Sequence, residues 1–383
     1  MMTSRERLLL ALEHRIPDRV PIDLGGNQTG IHKFAYLKLI QHLGLKEELS
    51  IMDLVQQLAK PSEAVLDRLH VDTRYVWASE PATFKAAVVR QERHGEMWND
   101  FTDEFGVTWS MPDRSPNYFD LTHSPLAGLS LEQIKGYPFP KGDDPSRFEG
   151  IRDQVVALRR DTPYPVVSGI SGVVYEYCWY LRGLENLFTD MMERPEILET
   201  LLDRMLKFWL DWFRLFLTEV GDVLDVIMIG DDLAGQRGPL FSPALYRSII
   251  KPRQKQLVQY IKSRTAAKIW YHSCGAVTDY IPDLLDNGID ILNPVQISAK
   301  GMDPGALKAA FGDKLCFWGG AIDSQQVLPR GTPEEVRASI GRNLAAFKPG
   351  GGYVFNNVHN IQADVPPENI LAMYDAALEF GRY

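Results

Sequence analysis

The chain has 383 residues, 45% of them hydrophobic, enough to bury a large core as one barrel with insertions or as two average domains. A net charge of −9 and the lack of any Lys/Arg run leave nothing to grip a phosphate backbone, which excludes nucleic acid as an expected partner. No stretch reaches the ~18 uninterrupted apolar residues of a membrane span. The three cysteines, Cys178, Cys274 and Cys316, are too few for a disulfide framework, so reduced thiols and a cytoplasmic setting are expected.

The opening "MMTSRERLLLALEHRIPDRV" predicts a helix: Thr3 and Glu6 form a capping box, Leu8, Leu9 and Leu12 recur at helical spacing, and Pro17 ends it. Its short apolar stretch lies between charges, so it reads neither as a signal peptide nor as a span. Strand-like "RVPIDLGG" (19–26) follows, and "TRYVWAS" (73–79) predicts a second strand. Next comes "FKAAVVRQERHGEMWNDFTDEFGVTWSMP" (84–112), which alternates like a twisted hairpin and is read as a capping insertion spanning about 80–150. Its second part, from Pro125 to Arg147, is rich in Pro, Gly and charge, and reads as surface chain leading back to the core.

Six more apolar runs end in glycine or polar residues: "YPVVSGISG" (164–172), "LDVIMIGDD" (224–232), "AKIWYHSCG" (267–275), "IDILNPVQ" (289–296), "LCFWGGAID" (315–323) and "GYVFNNVHN" (352–360). Helix starts separate the later ones, at Ser242-Pro243, from Pro282, at Asp303-Pro304, at Thr332-Pro333 with Glu335, and at Pro366-Pro367-Glu368. Eight alternating strand and helix units predict a single α/β domain over residues 1–383, a TIM (β/α)8 barrel with an N-terminal helix and the capping insertion after the second strand. No Gly-x-Gly-x-x-Gly follows the first strand, which weakens a doubly wound dinucleotide-binding sheet.

In such a barrel the chemistry sits at the C-terminal ends of the strands. The polar residues closing the runs are Asp23 and Asn27; Asp231 and Asp232; His272 and Cys274; Asn293 and Gln296; Asp323; and Asn356, Asn357 and His359. His272 and Cys274 stand at i and i+2, on one side of a strand, so imidazole and thiolate can face one ion, and Gly275 lets the chain turn away. A third ligand from another strand end would complete an open zinc site. His359 is the candidate and Cys316 the rival; Cys316, one residue into its run, suits a small hydrophobe in the barrel wall. The bland alternative is a buried, hydrogen-bonded His and Cys with no metal. Asp231 and Asp232 are expected as substrate anchor or general base, with a helix cap as the alternative. Asn293 is placed with them as a catalytic candidate, and Asn27, Gln296, Asp323 and Asn357 as substrate contacts, against the reading that they are satisfied loop residues.

The segments "YHSCGAVTDYIPDLLDNGIDILNPVQ", "FWGGAID" and "GGGYVFNNVHNIQADVPPENI", with the opening "RERLLLALEHRIPDRVPID", resemble the uroporphyrinogen decarboxylase superfamily and, within it, the cobalamin-dependent methyltransferases. The resemblance covers nearly the whole chain and implies a TIM barrel. It also implies zinc held by a His-x-Cys pair, His272 and Cys274, and by a third ligand that is cysteine in the family and falls on His359 here. A His2Cys set is less negative and a stronger Lewis acid than HisCys2. The decarboxylases open with Arg-Gln-Ala-Gly-Arg, whose arginines bind the acidic porphyrinogen, whereas this chain reads "DLGGNQTG".

The expected activity is zinc-dependent transfer of a methyl group between a small substrate and the cobalt of a separate corrinoid protein docking over the barrel mouth. The chain has no Asp-x-His-x-x-Gly segment with which to hold cobalamin itself. A methyl ether such as an O-methylated aromatic, whose oxygen zinc would polarise, is preferred to a thiol. The alternatives are a decarboxylase of a less acidic substrate and a non-catalytic tetrapyrrole- or corrinoid-binding protein; neither needs the His-x-Cys pair.

Overall fold

A computed structural model of the protein describes residues 2–383. Seven of the eight apolar runs pair as one curled parallel sheet, in the spatial order Tyr353–Val354, Cys316–Trp318, Ile291–Asn293, Lys268–His272, Val226–Gly230, Val166–Gly169, Arg74–Tyr75. The run at 19–26 stays extended between the two ends of that sheet. Ile22 bridges Phe355 on one side, and its carbonyl accepts the Asp72 N–H at 2.7 Å on the other. It forms no ladder, since Pro21 has no N–H to give. The result is a TIM-barrel-like α/β fold.

The period of two divides each strand between two environments. Val226, Met228, Trp270, Ile291, Cys316, Trp318 and Val354 pack together in the barrel interior, where Trp270 and Trp318 stack at 4.6 Å. Ile227, Ile229, Ile269 and Tyr271, on the alternate positions, join the larger core under the helices. Leu8 and Leu12 of the first helix, Ser4–Leu12, pack into the interior cluster at the end where the strands begin. That helix starts at the Thr3/Glu6 capping box; Ser242, Asp303 and Thr332 cap the later helices as their sequences predict.

The insertion holds more strands than the sequence suggests. Val89–Arg93, Glu96–Thr102, Thr108–Pro112 and Asp120–His123 form an antiparallel four-stranded sheet. The last strand is hidden in sequence by the intervening Pro- and Asn-containing turn. Phe101 and Met111 of this sheet, with Phe119 just before its last strand, pack against Leu54 and Val55, and Phe101 and Trp109 share a cavity with His272 and His359 at the C-terminal ends of the barrel strands. Among the described residues no helix is long and apolar enough to cross a membrane.

Candidate metal centre

His272 ends its strand in the inward register of Trp270, beside Gly230 of the neighbouring strand. A Cβ at position 230 would stand 2.7 Å from the Cβ of His272, so glycine there makes room for the imidazole. Nδ1 of His272 lies 2.6 Å from Oδ1 of Asn293, whose own amide nitrogen donates to the Trp318 carbonyl at 3.0 Å. That second bond fixes which end of the amide faces the ring. Nδ1 therefore carries the proton, and the Nε2 lone pair faces Cys274 Sγ at 3.5 Å.

Cys274 is positioned through its backbone, its N–H donating to Asp232 Oδ1 at 2.7 Å. The chain then turns at Gly275, φ 86°, where a Cβ would lie 2.4 Å from the Ala234 carbonyl oxygen. His359 follows the last strand in a left-handed conformation, φ 60°, unusual for a non-glycine residue. Asn357 supports that turn by donating its amide to the His359 carbonyl at 2.8 Å.

The side-chain donor atoms of His272, Cys274 and His359 all lie within 4.8 Å of one another. Zinc bonds of ~2.1 Å to nitrogen and ~2.3 Å to sulfur place tetrahedral donors about 3.5 Å apart, so the cluster needs to close by about 1 Å. Two imidazoles and a thiol are a zinc-type donor set. His359 is the leg that must adjust, because its Nδ1 accepts the Asn360 N–H at 2.8 Å, which puts the ring proton on Nε2. Cys316 is not part of the cluster; it is buried in the barrel interior.

Electrostatics favour an added cation here. Burial lowers the His272 pKa to about 4 and keeps the ring neutral, as a ligand must be. Burial also lowers that of His359, helped by the neighbouring His272. The Cys274 thiol is raised by burial and by the carboxylates of Asp232 and Glu176. Glu176 is itself raised to about 8 by burial and by Asp232. The sequence gives no hint of Glu176: it opens the helix Glu176–Arg182, beyond the loop after Val166–Gly169, and Tyr180 donates its hydroxyl to it.

The two adjacent aspartates face opposite ways. Asp232 faces the metal ligands, with Oδ1 3.9 Å from His272 Nε2. Asp231 is fully buried, accepting the N–H groups of Val174, Tyr175 and Glu176 and the Gln254 amide, and so caps the helix Glu176–Arg182. A cavity of about 500 Å³ lies between the ligands and the capping sheet, lined by Asn27, Asp232, Glu176, His272 and His359 among others. A second, of about 500 Å³, is lined by Cys274, His359, Gln296 and Gln325 among others. Gln296 also accepts the Gly275 N–H at 2.8 Å. Asn293 and Asn357 are buried behind the ligands. Asp323 is occupied in a turn, accepting the N–H groups of Gln325 and Gln326, and lines neither cavity.

Residues 104–380 match the family described as uroporphyrinogen decarboxylase (URO-D). The uroporphyrinogen decarboxylase of Psychromonas ingrahamii is 25% identical over 255 residues, covering 64% of this chain and 66% of that protein. That of Pseudoalteromonas atlantica is 26% identical over 269 residues, covering 66% and 69%. The chain thus spans about two thirds of the length of these curated relatives. A solved structure, "methyltransferase from Methanosarcina mazei", covers 99% of both chains with a TM-score of 0.65 at 18% identity, a likeness of fold.

Proposed function

This chain belongs to the uroporphyrinogen decarboxylase family, and from that premise we propose that it is a zinc-dependent methyltransferase moving a methyl group between a small substrate and the cobalt of a separate corrinoid protein. The cluster of His272, Cys274 and His359 at the barrel mouth carries this reading. Its access from two cavities supports it, since a small substrate and a protein partner need separate approaches.

Zinc, when bound, would supply Lewis acidity, polarising an ether oxygen or lowering the pKa of a thiol. The other tasks belong to the chain. Asn293 keeps Nδ1 of His272 protonated and Nε2 free; Asp232 holds the Cys274 backbone; Asn357 holds the turn that presents His359. Glu176, protonated near neutral pH, is placed to give a proton to a departing oxygen, with Tyr180 orienting its carboxyl. Asn27 would contact substrate in the cavity under the capping sheet, and Gln296 lines the other one. We assign Asp231 a positioning role, because its oxygens are taken by backbone amides.

Decarboxylation of a porphyrinogen is the weaker reading. Among the described residues no Lys or Arg lines the cavity under the capping sheet, so a polycarboxylate would meet carboxyl groups there instead of cations.

The test incubates the protein with a corrinoid protein and an O-methylated aromatic, and follows loss of the methyl group by mass spectrometry. Demethylation that needs both the corrinoid protein and zinc, and that His272→Ala or Cys274→Ala abolishes, supports the assignment. Full activity in a metal-free variant, or carbon dioxide release from uroporphyrinogen, overturns it.

A further inference from the structure

We infer that the substrate carries a protonated amine, bound in the cavity under the capping sheet while its methyl-bearing atom rests at His272, Cys274 and His359. The inference deepens the methyltransferase reading and rests on it.

The cavity contains five carboxyl groups, Asp53, Glu80, Asp103, Glu176 and Asp232, and no Lys or Arg among the described residues. Basic side chains nearby are committed elsewhere: Arg147, in an adjoining cavity of about 290 Å³, pairs with Glu104, and Arg93 pairs with Asp100. Among the described residues none of the five pairs with a Lys or Arg, and Asp232 lies 3.9 Å from Nε2 of His272, a ring that burial keeps neutral. Neutral donors satisfy part of the set. Asp53 accepts both nitrogens of Gln56, and Asp103 accepts the Phe105 and Val107 N–H groups and the Trp109 indole. These bonds orient the carboxyl groups, while burial raises Asp53, Asp103 and Glu176 toward their protonated forms, a penalty that an incoming cation would relieve.

A metal at the ligand cluster does not balance this set. A divalent ion bound by one thiolate adds a single net positive charge on the floor of the cavity. Asp53, Glu80 and Asp103 come from a different part of the chain: the short strand Ile51–Asp53, the segment after Arg74–Tyr75, and the turn that follows Glu96–Thr102 of the capping sheet. Carboxyl groups crowded around a concave, low-dielectric space favour a cation, which stabilises their charged forms.

Two further observations narrow the cation's chemistry. Phe101, Trp109, Tyr177 and Tyr180 line the same space, and aromatic faces attract cations. Oδ1 of Asn27 and Oε1 of Gln28, both at this cavity, are buried acceptors without a partner. Unpaired acceptors call for N–H donors, which a protonated primary or secondary amine has and a quaternary ammonium lacks.

The test is calorimetric binding of three compounds sharing one methoxyphenol ring: 3-methoxytyramine, ending in an ammonium; 4-ethylguaiacol, ending in a methyl; and homovanillate, ending in a carboxylate. The amine should bind at least about tenfold more tightly than the neutral compound, and more weakly as salt is added. Glu80→Gln, at an exposed position that keeps its hydrogen-bonding shape, should weaken amine binding about threefold and leave the neutral compound unchanged. Equal affinities, the reverse order, or no binding of the amine overturns the inference. Zinc content and methyl transfer are measured on the same preparation. A zinc-bound, methyl-transferring protein that ignores charge defeats this inference alone, whereas amine binding without zinc defeats the methyltransferase reading.

Discussion

The amide oxygen of Asn293 lies 2.6 Å from Nδ1 of His272, and the rest of that amide is locked to the Trp318 carbonyl. An outer partner of this kind orients the ring and raises the basicity of the coordinating nitrogen. Asn293→Ala should weaken zinc binding about 10- to 100-fold, read by competition with a chelator. The variant should still fold, with a melting temperature a few degrees lower for the loss of buried hydrogen bonds. Zinc affinity equal to wild type would remove the asparagine from the site.

The third leg has its own signature. Purified protein should carry about one zinc per chain by elemental analysis, and His272→Ala or Cys274→Ala should carry none. His359→Ala should bind loosely, losing metal on dialysis. His359→Cys, which installs the cysteine expected at that position from the family resemblance, should restore retention. Cys316→Ser is the control: it puts a hydroxyl into the barrel interior and should lower the melting temperature without touching zinc content.

Asp231 and Asp232 separate by the property each controls. Asp231→Ala strips acceptors from three backbone N–H groups and from Gln254 in a fully buried position, which should cost about 2–4 kcal/mol in chemical denaturation. Asp232→Asn keeps a side-chain oxygen for the Cys274 N–H and should leave stability within about 1 kcal/mol of wild type, while lowering methyl transfer. A large stability loss in the second and none in the first would reverse the roles.

These outcomes bear on what a sequence can reveal. Strand positions are legible because apolar runs ending in glycine or polar residues have few alternatives, and His272 and Cys274 are legible because a strand puts i and i+2 on one side. The same rule separates Asp231 from Asp232: adjacent residues at a strand end face opposite ways, so a paired-carboxylate reading joins a buried helix cap to a cavity acid. Glu176 escapes because it lies beyond a loop after its strand, where no periodicity reports direction. Its approach depends on Gly172, φ 75°, where a Cβ would come within 3.3 Å of the Glu176 carboxyl. The acidity of the cavity is hidden for a similar reason, since Asp53, Glu80 and Asp103 meet only after the capping sheet has folded over the barrel.

The opposed shifts of Glu176 and His272 give the zinc-free protein a two-sided pH dependence. Glu176 is raised from 4.5 to about 8, first by burial. Between those values the folded state keeps a proton that the unfolded chain releases, so stability falls as pH rises through the window and gains nothing further below it. His272 is lowered from 6.5 to about 4, also by burial. As pH falls between those values the unfolded chain takes up the proton first, so stability falls in that direction. Melting temperature of the metal-free protein should therefore peak at mildly acidic pH. Glu176→Gln should flatten the alkaline limb and leave the acid limb, because the amide keeps the Tyr180 hydrogen bond without ionising. His272→Asn should flatten the acid limb. An alkaline limb of unchanged slope in Glu176→Gln would show that this carboxyl ionises normally, and would withdraw it as the proton donor.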